Sequence, residues 1–381
     1  MQKDGTKVGQ ANKIKILFLI HDLGHGGAEK VLVNLVNNMD RSKFDISVTA
    51  LFGGGVNEQF LKPDIHYRAI FSRTFRGNSH IMKLLSPKQL HKLFIKETYD
   101  IEVAYLEGPS ARIISGCTTV GTKLAAWIHC TMHDEHELSI GFRDYKESCC
   151  GYQKMDAVCF VSDDVRYSFI KLCQINTSCV LYNTNNSDAI IQQSQEPLTD
   201  SAFLTDEFAI CGVGKLMKNK GFDRLARIHK RLRNEGYPVH CYILGVGAEQ
   251  EKILAYVREN ALTDSFTFLG YQANPYKYVS RCDLFVCSSF AEGFSTAATE
   301  ALIVGTPVCT VEVSGMREML GKHNEWGIVT ENSEEALYQG IKDLLDHPDK
   351  LAHYKEKAIE RGRTFSTENT VRAVEEMLLE L

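Results

Sequence analysis

Two doubly wound parallel β-sheets, one following the other along the chain and facing a central cleft, are the α/β architecture this sequence predicts. Three observations carry the prediction. Short apolar strands alternate with helical stretches from residue 13 to 182 and again from 208 onward, a pattern that folds into parallel sheets covered by helices. A polar segment without clear periodicity, 184–207, lies between the two sets and reads as a linker. Several strands run directly into glycine-containing turns, the places at which open parallel sheets bind ligands. The expected units are therefore two Rossmann-like domains, 13–183 and 208–365.

Composition sets the class. The chain has 381 residues, 44% of them hydrophobic and 24% charged, enough for two or three soluble domains with ample cores. A formal net charge of −5 gives no global case for binding nucleic acid. Its 12 cysteines include no Cys-x-x-Cys pair, so buried thiols in a reducing, cytoplasmic setting are expected rather than zinc or redox sites. The first eleven residues read as a disordered polar lead. The apolar run 14–20 is too short for a signal segment or a membrane span. No repeat of fixed period or low-complexity tract is present.

In the first set the strands are 14–20, 46–51, 66–70, 101–106, 124–128, 157–161 and 179–181. Strand one leads into Gly24-His25-Gly26-Gly27-Ala28-Glu29, which opens a helix running to about Met39. Glycines at 26 and 27 let the backbone approach a ligand closely, although Glu29 breaks the dinucleotide fingerprint Gly-x-Gly-x-x-Gly. Residues 73–96 hold Arg73, Arg76, Lys83, Lys88, Lys92 and Lys96 and no acidic side chain. Within them Ser86 and Gln89 form a capping box with Pro87 in the first turn, and Leu90, Leu93 and Phe94 form an apolar face. That helix either packs on the first sheet with its lysines in water or docks on an anionic membrane surface. The cluster His129, His133, Asp134 and His136 matches no zinc spacing, and no Asp-x-Asp triplet exists, so no metal is expected.

In the second set the strands are 208–213, 240–244, 266–269, 284–287 and 308–311. Strand one runs into Gly212-Val213-Gly214-Lys215-Leu216, followed by Lys220-Gly221-Phe222. Lys215 and Lys220 can both reach a diphosphate; a solvated basic loop is the plainer alternative. Gly245-Val246-Gly247 and Gly270-Tyr271 end two further strands on the same side. The fourth strand enters a turn at Glu292 and Gly293, and a helix then starts at Ser295 and Thr296, whose free amides favour phosphate. Glu292 and Glu300 are a little over two helical turns apart and can face one crevice.

Glu292-Gly293-Phe294, Glu300-Ala301 and Gly305-Thr306-Pro307-Val308 resemble the signature of retaining glycosyltransferases of family 4, which have the two-domain GT-B fold. Gly-Gly-Ala-Glu at 26–29 is similar to their first domains. The resemblance spans about residues 13 to 345. It implies transfer of a sugar from a nucleotide diphosphate sugar, expected to be uridine-linked, to a glycan or lipid-linked glycan in bacterial-type polysaccharide or glycoconjugate synthesis. By that likeness Glu300 takes the ribose hydroxyls. Glu292 with the Gly293 and Phe294 backbone takes the sugar hydroxyls, and His129 contacts the transferred sugar. Gly245, Val246, Gly270 and Tyr271 line the base pocket, beside a donor site shared with Gly26, Gly27, Gly214, Lys215, Lys220, Ser295 and Thr296. No cofactor beyond the sugar donor is implied, and residues 366–381 are expected to cross back onto the first domain. Where Lys215 stands the family commonly has Arg, Cys287-Ser288 replaces Pro-Ser, and Ser314-Gly315 replaces Gly-Gly. Family 4 enzymes often act on lipid-linked acceptors, which points to a cytoplasmic protein lying peripherally on the inner membrane face. The alternatives are an epimerase or phosphorylase of the same architecture, or a non-catalytic sugar-nucleotide-binding partner.

Overall fold

The computed structural model describes residues 13–198, 203 and 206–381. The polar lead 1–11 and parts of the expected linker therefore lie outside the described residues. The first sheet comprises β1 (Ile14–Ile20), β2 (Phe44–Phe52), β3 (His66–Phe71), β4 (Ile101–Ala104), β5 (Lys123–Ile128), β6 (Ala157–Phe160) and β7 (Ser178–Val180). The second comprises β8 (Phe208–Val213), β9 (Val239–Leu244), β10 (Phe266–Gly270), β11 (Leu284–Cys287), β12 (Val308–Val311) and β13 (Ile328–Thr330). Every pairing in both is parallel.

Strand order decides where ligands can go. The first sheet runs β3-β2-β1-β4-β5-β6-β7 and the second β10-β9-β8-β11-β12-β13, so the chain reverses direction between β1 and β4 and between β8 and β11. At such a switch point the loops leaving the two central strands part in opposite directions and open a crevice at the strands' carboxyl ends. The central strands are apolar throughout because helices cover both faces. Ile16 to Ile20 of β1 are wholly buried, as is Leu284 of β11.

Among the described residues eight α-helices accompany the first sheet and its exit: α1 (Gly27–Asn38), α2 (Asn78–Leu84), α3 (Pro87–Phe94), α4 (Pro109–Ile114), α5 (Glu135–Leu138), α6 (Tyr145–Tyr152), α7 (Asp163–Leu172) and α8 (Ser187–Ser194). Eight more follow: α9 (Phe222–Asn234), α10 (Gln250–Glu259), α11 (Tyr276–Val279), α12 (Thr296–Ile303), α13 (Met316–Leu320), α14 (Glu334–Asp346), α15 (Pro348–Gly362) and α16 (Thr367–Glu380).

Three elements differ from the sequence reading. The linker segment contains α8, whose start is fixed by the Asn186 side chain accepting from the Ala189 amide and which packs against α11 and α12. Only Ile190 gives it a fully buried apolar side chain, so it left no periodicity to read. Strand β13 was not anticipated, because three residues between a turn and a helix cap are too few to alternate. On α3 the capping box forms as expected, but the apolar face divides: Leu90 and Phe94 enter the core while Leu93 stays exposed.

The last helix, α16, lies against α1. Its Glu375 carboxylate accepts from the Asp40 amide at 2.6 Å, just beyond the end of α1. The rings of Tyr182, Phe294 and Phe365 pack together where the two halves and the C-terminal segment meet, with centroids 5.2 to 5.8 Å apart.

Candidate active site

The second half of the site is built by two loops that lean on each other. Behind β8 the chain makes a turn of 3-10 helix, Lys218–Lys220, and reverses at Gly221, whose φ of +63° suits glycine. A Cβ on Gly221 would lie 2.1 Å from the Ser288 carbonyl, so the lysine loop rests directly on the turn that leaves β11. Lys220 Nζ thereby reaches Glu292 Oε1 at 2.6 Å, and Ser289 Oγ donates to the same oxygen at 2.5 Å. Lys215 stands exposed on the loop. Gly214 and Gly245 are tied into one layer, the Gly214 amide donating to Leu244 O at 3.0 Å and the Gly245 amide to Gly270 O at 2.7 Å. Val246 and Tyr271 project from its rim, both exposed. Next comes α12, capped by Ser295, whose hydroxyl accepts from the Ala298 amide and leaves the Thr296 amide at the helix mouth.

The first half is built from β1, β4 and β5. Gly26 caps α1 without a side-chain acceptor, and the Glu29 carboxylate folds back over the first turn against its own amide, 1.9 Å from where a Cβ on Gly26 would lie. His129, one residue beyond β5, is buried against the Tyr105 ring at 5.1 Å, and its Nε2 has no hydrogen-bond partner. Burial pushes its pKa down to about 3, so the imidazole is neutral at physiological pH. Its amide donates to Glu107 Oε2 at 3.0 Å, and burial lifts the Glu107 carboxyl above the usual carboxylate range. Cys130 beside them is open to solvent on one side, yet partial loss of water around its thiol and the nearby Glu107 drive it up to about 12, which makes it a poor nucleophile.

The halves meet across the cleft. A Cβ on Gly293 would lie 2.1 Å from the His129 carbonyl, so backbone touches backbone there. Gly27 faces Thr296, with 3.8 Å from an ideal Cβ to Oγ1, which brings the N-termini of α1 and α12 to one spot. Lys30, one turn into α1, donates to Glu300 Oε1 at 2.8 Å and to Tyr276 Oη at 2.8 Å; the tyrosine hydroxyl donates to the same Glu300 oxygen at 3.0 Å. Nearer the hinge, the Asp163 amide donates to Glu318 at 2.7 Å and the Gly315 amide to Asp164 at 3.0 Å.

Of the expected residues, Glu292 is joined to Lys220 and Glu300 to Lys30, while Gly27 meets Thr296 and Gly293 meets the His129 backbone. Sequence reasoning missed Lys30, Tyr276 and Glu107. For Lys30 a signal existed, since on a helix it falls three and four residues after Gly27 and Gly26 and shares their face. Tyr276 and Glu107 lie outside every motif and are brought in by tertiary packing alone. In the His133–His136 segment Asp134 is occupied as the cap of α5, accepting from the Glu137 amide at 2.8 Å. Among the described residues the side chains close enough together to share a metal are His91, Glu102 and Cys117, near the amino end of β4 and so at the opposite end of that strand from the cleft. His91 and Glu102 already satisfy one another there at 2.7 Å.

Residues 195–361 match the family described as Glycosyl transferases group 1. The second domain is a group 1 glycosyltransferase domain. Along nearly its whole length the chain is similar to the N-acetylgalactosamine-N,N'-diacetylbacillosaminyl-diphospho-undecaprenol 4-alpha-N-acetylgalactosaminyltransferase of Campylobacter jejuni. The two are 28% identical over 365 residues, 92% of this chain and 95% of that one. Over 38% of each chain it is 26% identical to the capsular polysaccharide biosynthesis glycosyltransferase CapM of Staphylococcus aureus. Its fold matches the crystal structure of Anabaena HepE in complex with UDP, with a TM-score of 0.77, 18% identity and coverage of 97% of this chain and 100% of that one. The chain has the GT-B architecture, two Rossmann-like domains facing one cleft.

Proposed function

We propose that this glycosyltransferase takes an N-acetylhexosamine or hexose from a uridine diphosphate sugar and passes it, with retention of configuration and without a metal ion, to a lipid-linked glycan. The observation that carries the reading is the meeting of the N-termini of α1 and α12 across the cleft, at Gly27 and Thr296, in a site where Lys220 of the second domain is held against Glu292. Two helix dipoles and the Lys220 ammonium group provide for the charge that accumulates on a departing diphosphate. Each cleft carboxylate fills only its Oε1 with protein donors, so Glu292 has its other oxygen for sugar hydroxyls and Glu300 for ribose. His129, kept neutral, adds no positive charge beside a cationic sugar ring and offers an unpartnered nitrogen. Front-face attack, in which the leaving phosphate accepts the acceptor's proton, suits a cleft where Glu292 is already bound to Lys220 and Ser289.

The Campylobacter relative's name supports an N-acetylhexosamine donor and a diphospho-undecaprenol acceptor. A lipid-linked acceptor also gives the segment 73–96 a purpose. Ile81 and Leu84 of α2 are 55% and 79% exposed, Phe75 and Leu93 of the same segment are exposed as well, and so are its Arg73, Arg76, Lys88, Lys92 and Lys96. Apolar side chains set among cations suit an anionic bilayer surface, on which the first domain would rest peripherally. Among the described residues no helix is long and apolar enough to cross a membrane.

The test is incubation with uridine diphosphate N-acetylgalactosamine, N-acetylglucosamine, galactose or glucose and a diphospho-polyprenol glycan, in the presence of a chelator. Transfer of one of these sugars with an α-anomeric proton signal in the product is expected. A β-linked product would overturn retention, and loss of transfer on chelation would overturn metal independence.

A further inference from the structure

The triangle formed by Lys30, Tyr276 and Glu300 joins the two domains inside the donor cleft. Glu300 is nearly buried, yet both donors use one of its oxygens: Lys30 Nζ at 2.8 Å and Tyr276 Oη at 3.0 Å converge on Oε1. The Lys30 ammonium is partly desolvated, which disfavours its charge, but the carboxylate beside it outweighs that and holds its pKa above the ordinary lysine range. A vicinal diol places two hydroxyls side by side and is held best by a carboxylate that offers one oxygen to each. One of those oxygens is already taken by Lys30 and Tyr276. Lys30 differs from Tyr276 in how easily it can leave: its side chain is 46% exposed and it arrives from the opposite domain, so the stem can swing toward water without disturbing either sheet.

We propose that Lys30 is a cross-cleft latch on Glu300 that the ribose diol of the donor displaces. In the unliganded enzyme it neutralises a nearly buried carboxylate and holds the domains together. On donor binding the diol takes over Oε1, and the cost of releasing the lysine scales the apparent affinity by the fraction of molecules in which the carboxylate is free of it. Lys30 is thus a gating residue, acting through Glu300, and the inference rests on the reading of Glu300 as the ribose carboxylate.

Calorimetric titration with uridine diphosphate and with its 2′,3′-dideoxy analogue tests the latch. The ratio of the two dissociation constants isolates the diol, because both probes carry the same diphosphate charge. Lys30→Met should raise the preference for the diol about fivefold to tenfold over wild type, and Lys30→Arg, which restores the cation, should return it to within about twofold. Glu300→Gln should reduce the ratio toward one. A ratio unchanged or lowered in Lys30→Met, with Glu300→Gln still losing the preference, overturns the latch and leaves the ribose role standing. A ratio unaffected by Glu300→Gln overturns the ribose role and the latch together. A loss of fold in Lys30→Met would appear equally with both probes, so it cannot imitate the expected change.

Discussion

Glu292 and Glu300 are each bound through Oε1 to a lysine, and the two pairs have different consequences for ligand binding. Lys220 and Glu292 come from the same domain and are fixed by loop contact at Gly221, so their geometry is set before any ligand arrives. Lys220→Ala should lower turnover about a hundredfold, because it removes a cation facing the leaving diphosphate and frees its carboxylate partner to reorient. Steady-state kinetics decide it; full activity would mean that the loop is merely solvated. Glu300→Ala should weaken uridine diphosphate binding by about 2 kcal/mol or more, through two lost hydroxyl contacts, as read by calorimetry. At Gly293 the constraint is steric. A methyl group 2.1 Å from the His129 carbonyl can be accommodated only by parting the domains, so Gly293→Ala should cost about tenfold to a hundredfold in turnover with little change in melting temperature. A melting temperature that falls while activity per folded molecule persists would contradict this. Spacing along the chain was enough to nominate Lys220 and Glu292, which follow strands at glycine turns, and Glu300, a little over two helical turns beyond Glu292 on α12. It could not show that Lys30 reaches Glu300 across 270 residues, because that meeting depends on how two domains close.

Elements with long apolar runs were legible, and short or polar ones were not. The buried strands of both sheets announced themselves because helices cover them on two sides. Strand β13 and helix α8 did not, since a three-residue strand and a helix with one fully buried apolar residue carry no period. The segment containing α2 and α3 falls between these cases. Its capping box could be read directly, but which leucines turn inward is set by the sheet beneath, and Leu90 went to the core while Leu84 stayed outside. That outcome leaves Phe75, Ile81, Leu84 and Leu93 exposed within a segment, 73–96, that has basic and no acidic side chains. The wild type should therefore sediment with anionic vesicles at low salt and be released as salt rises, at about 1 kcal/mol per basic residue near the headgroups. A Lys88, Lys92, Lys96 to Glu variant should remain in the supernatant. Equal sedimentation of the two proteins, or none of the wild type, would remove the bilayer from the account.

For the whole molecule, the histidines buried in both domains predict how stability responds to acid. His129 in the first domain and His229 in the second are each pushed down to about 3, His129 by burial and His229 by burial with help from the nearby charges of Arg233 and His240. An unfolded chain takes up these two protons near the ordinary histidine value of about 6.5, whereas the folded protein refuses them until about 3. Stability from these groups is therefore complete above about pH 6.5 and is lost as pH falls through that window, at about 1.4 kcal/mol per pH unit for each histidine. Burial acts in the opposite sense on Glu29, Glu107 and Glu318, whose raised carboxyls are neutralised sooner in the folded state than in the unfolded one, so the net slope is shallower than two histidines alone would give. A variant isolates one contribution. His229 lies in α9, where Nε2 pairs with Ser265 Oγ at 2.9 Å and Nδ1 is buried without a partner, and none of the cleft contacts involves it. His229→Leu keeps that site filled and removes its proton. Whatever the variant's melting temperature at pH 7.5, its further decline on going to pH 5 should be smaller than that of the wild type. Parallel declines would show that His229 titrates normally and that its burial exerts no such effect.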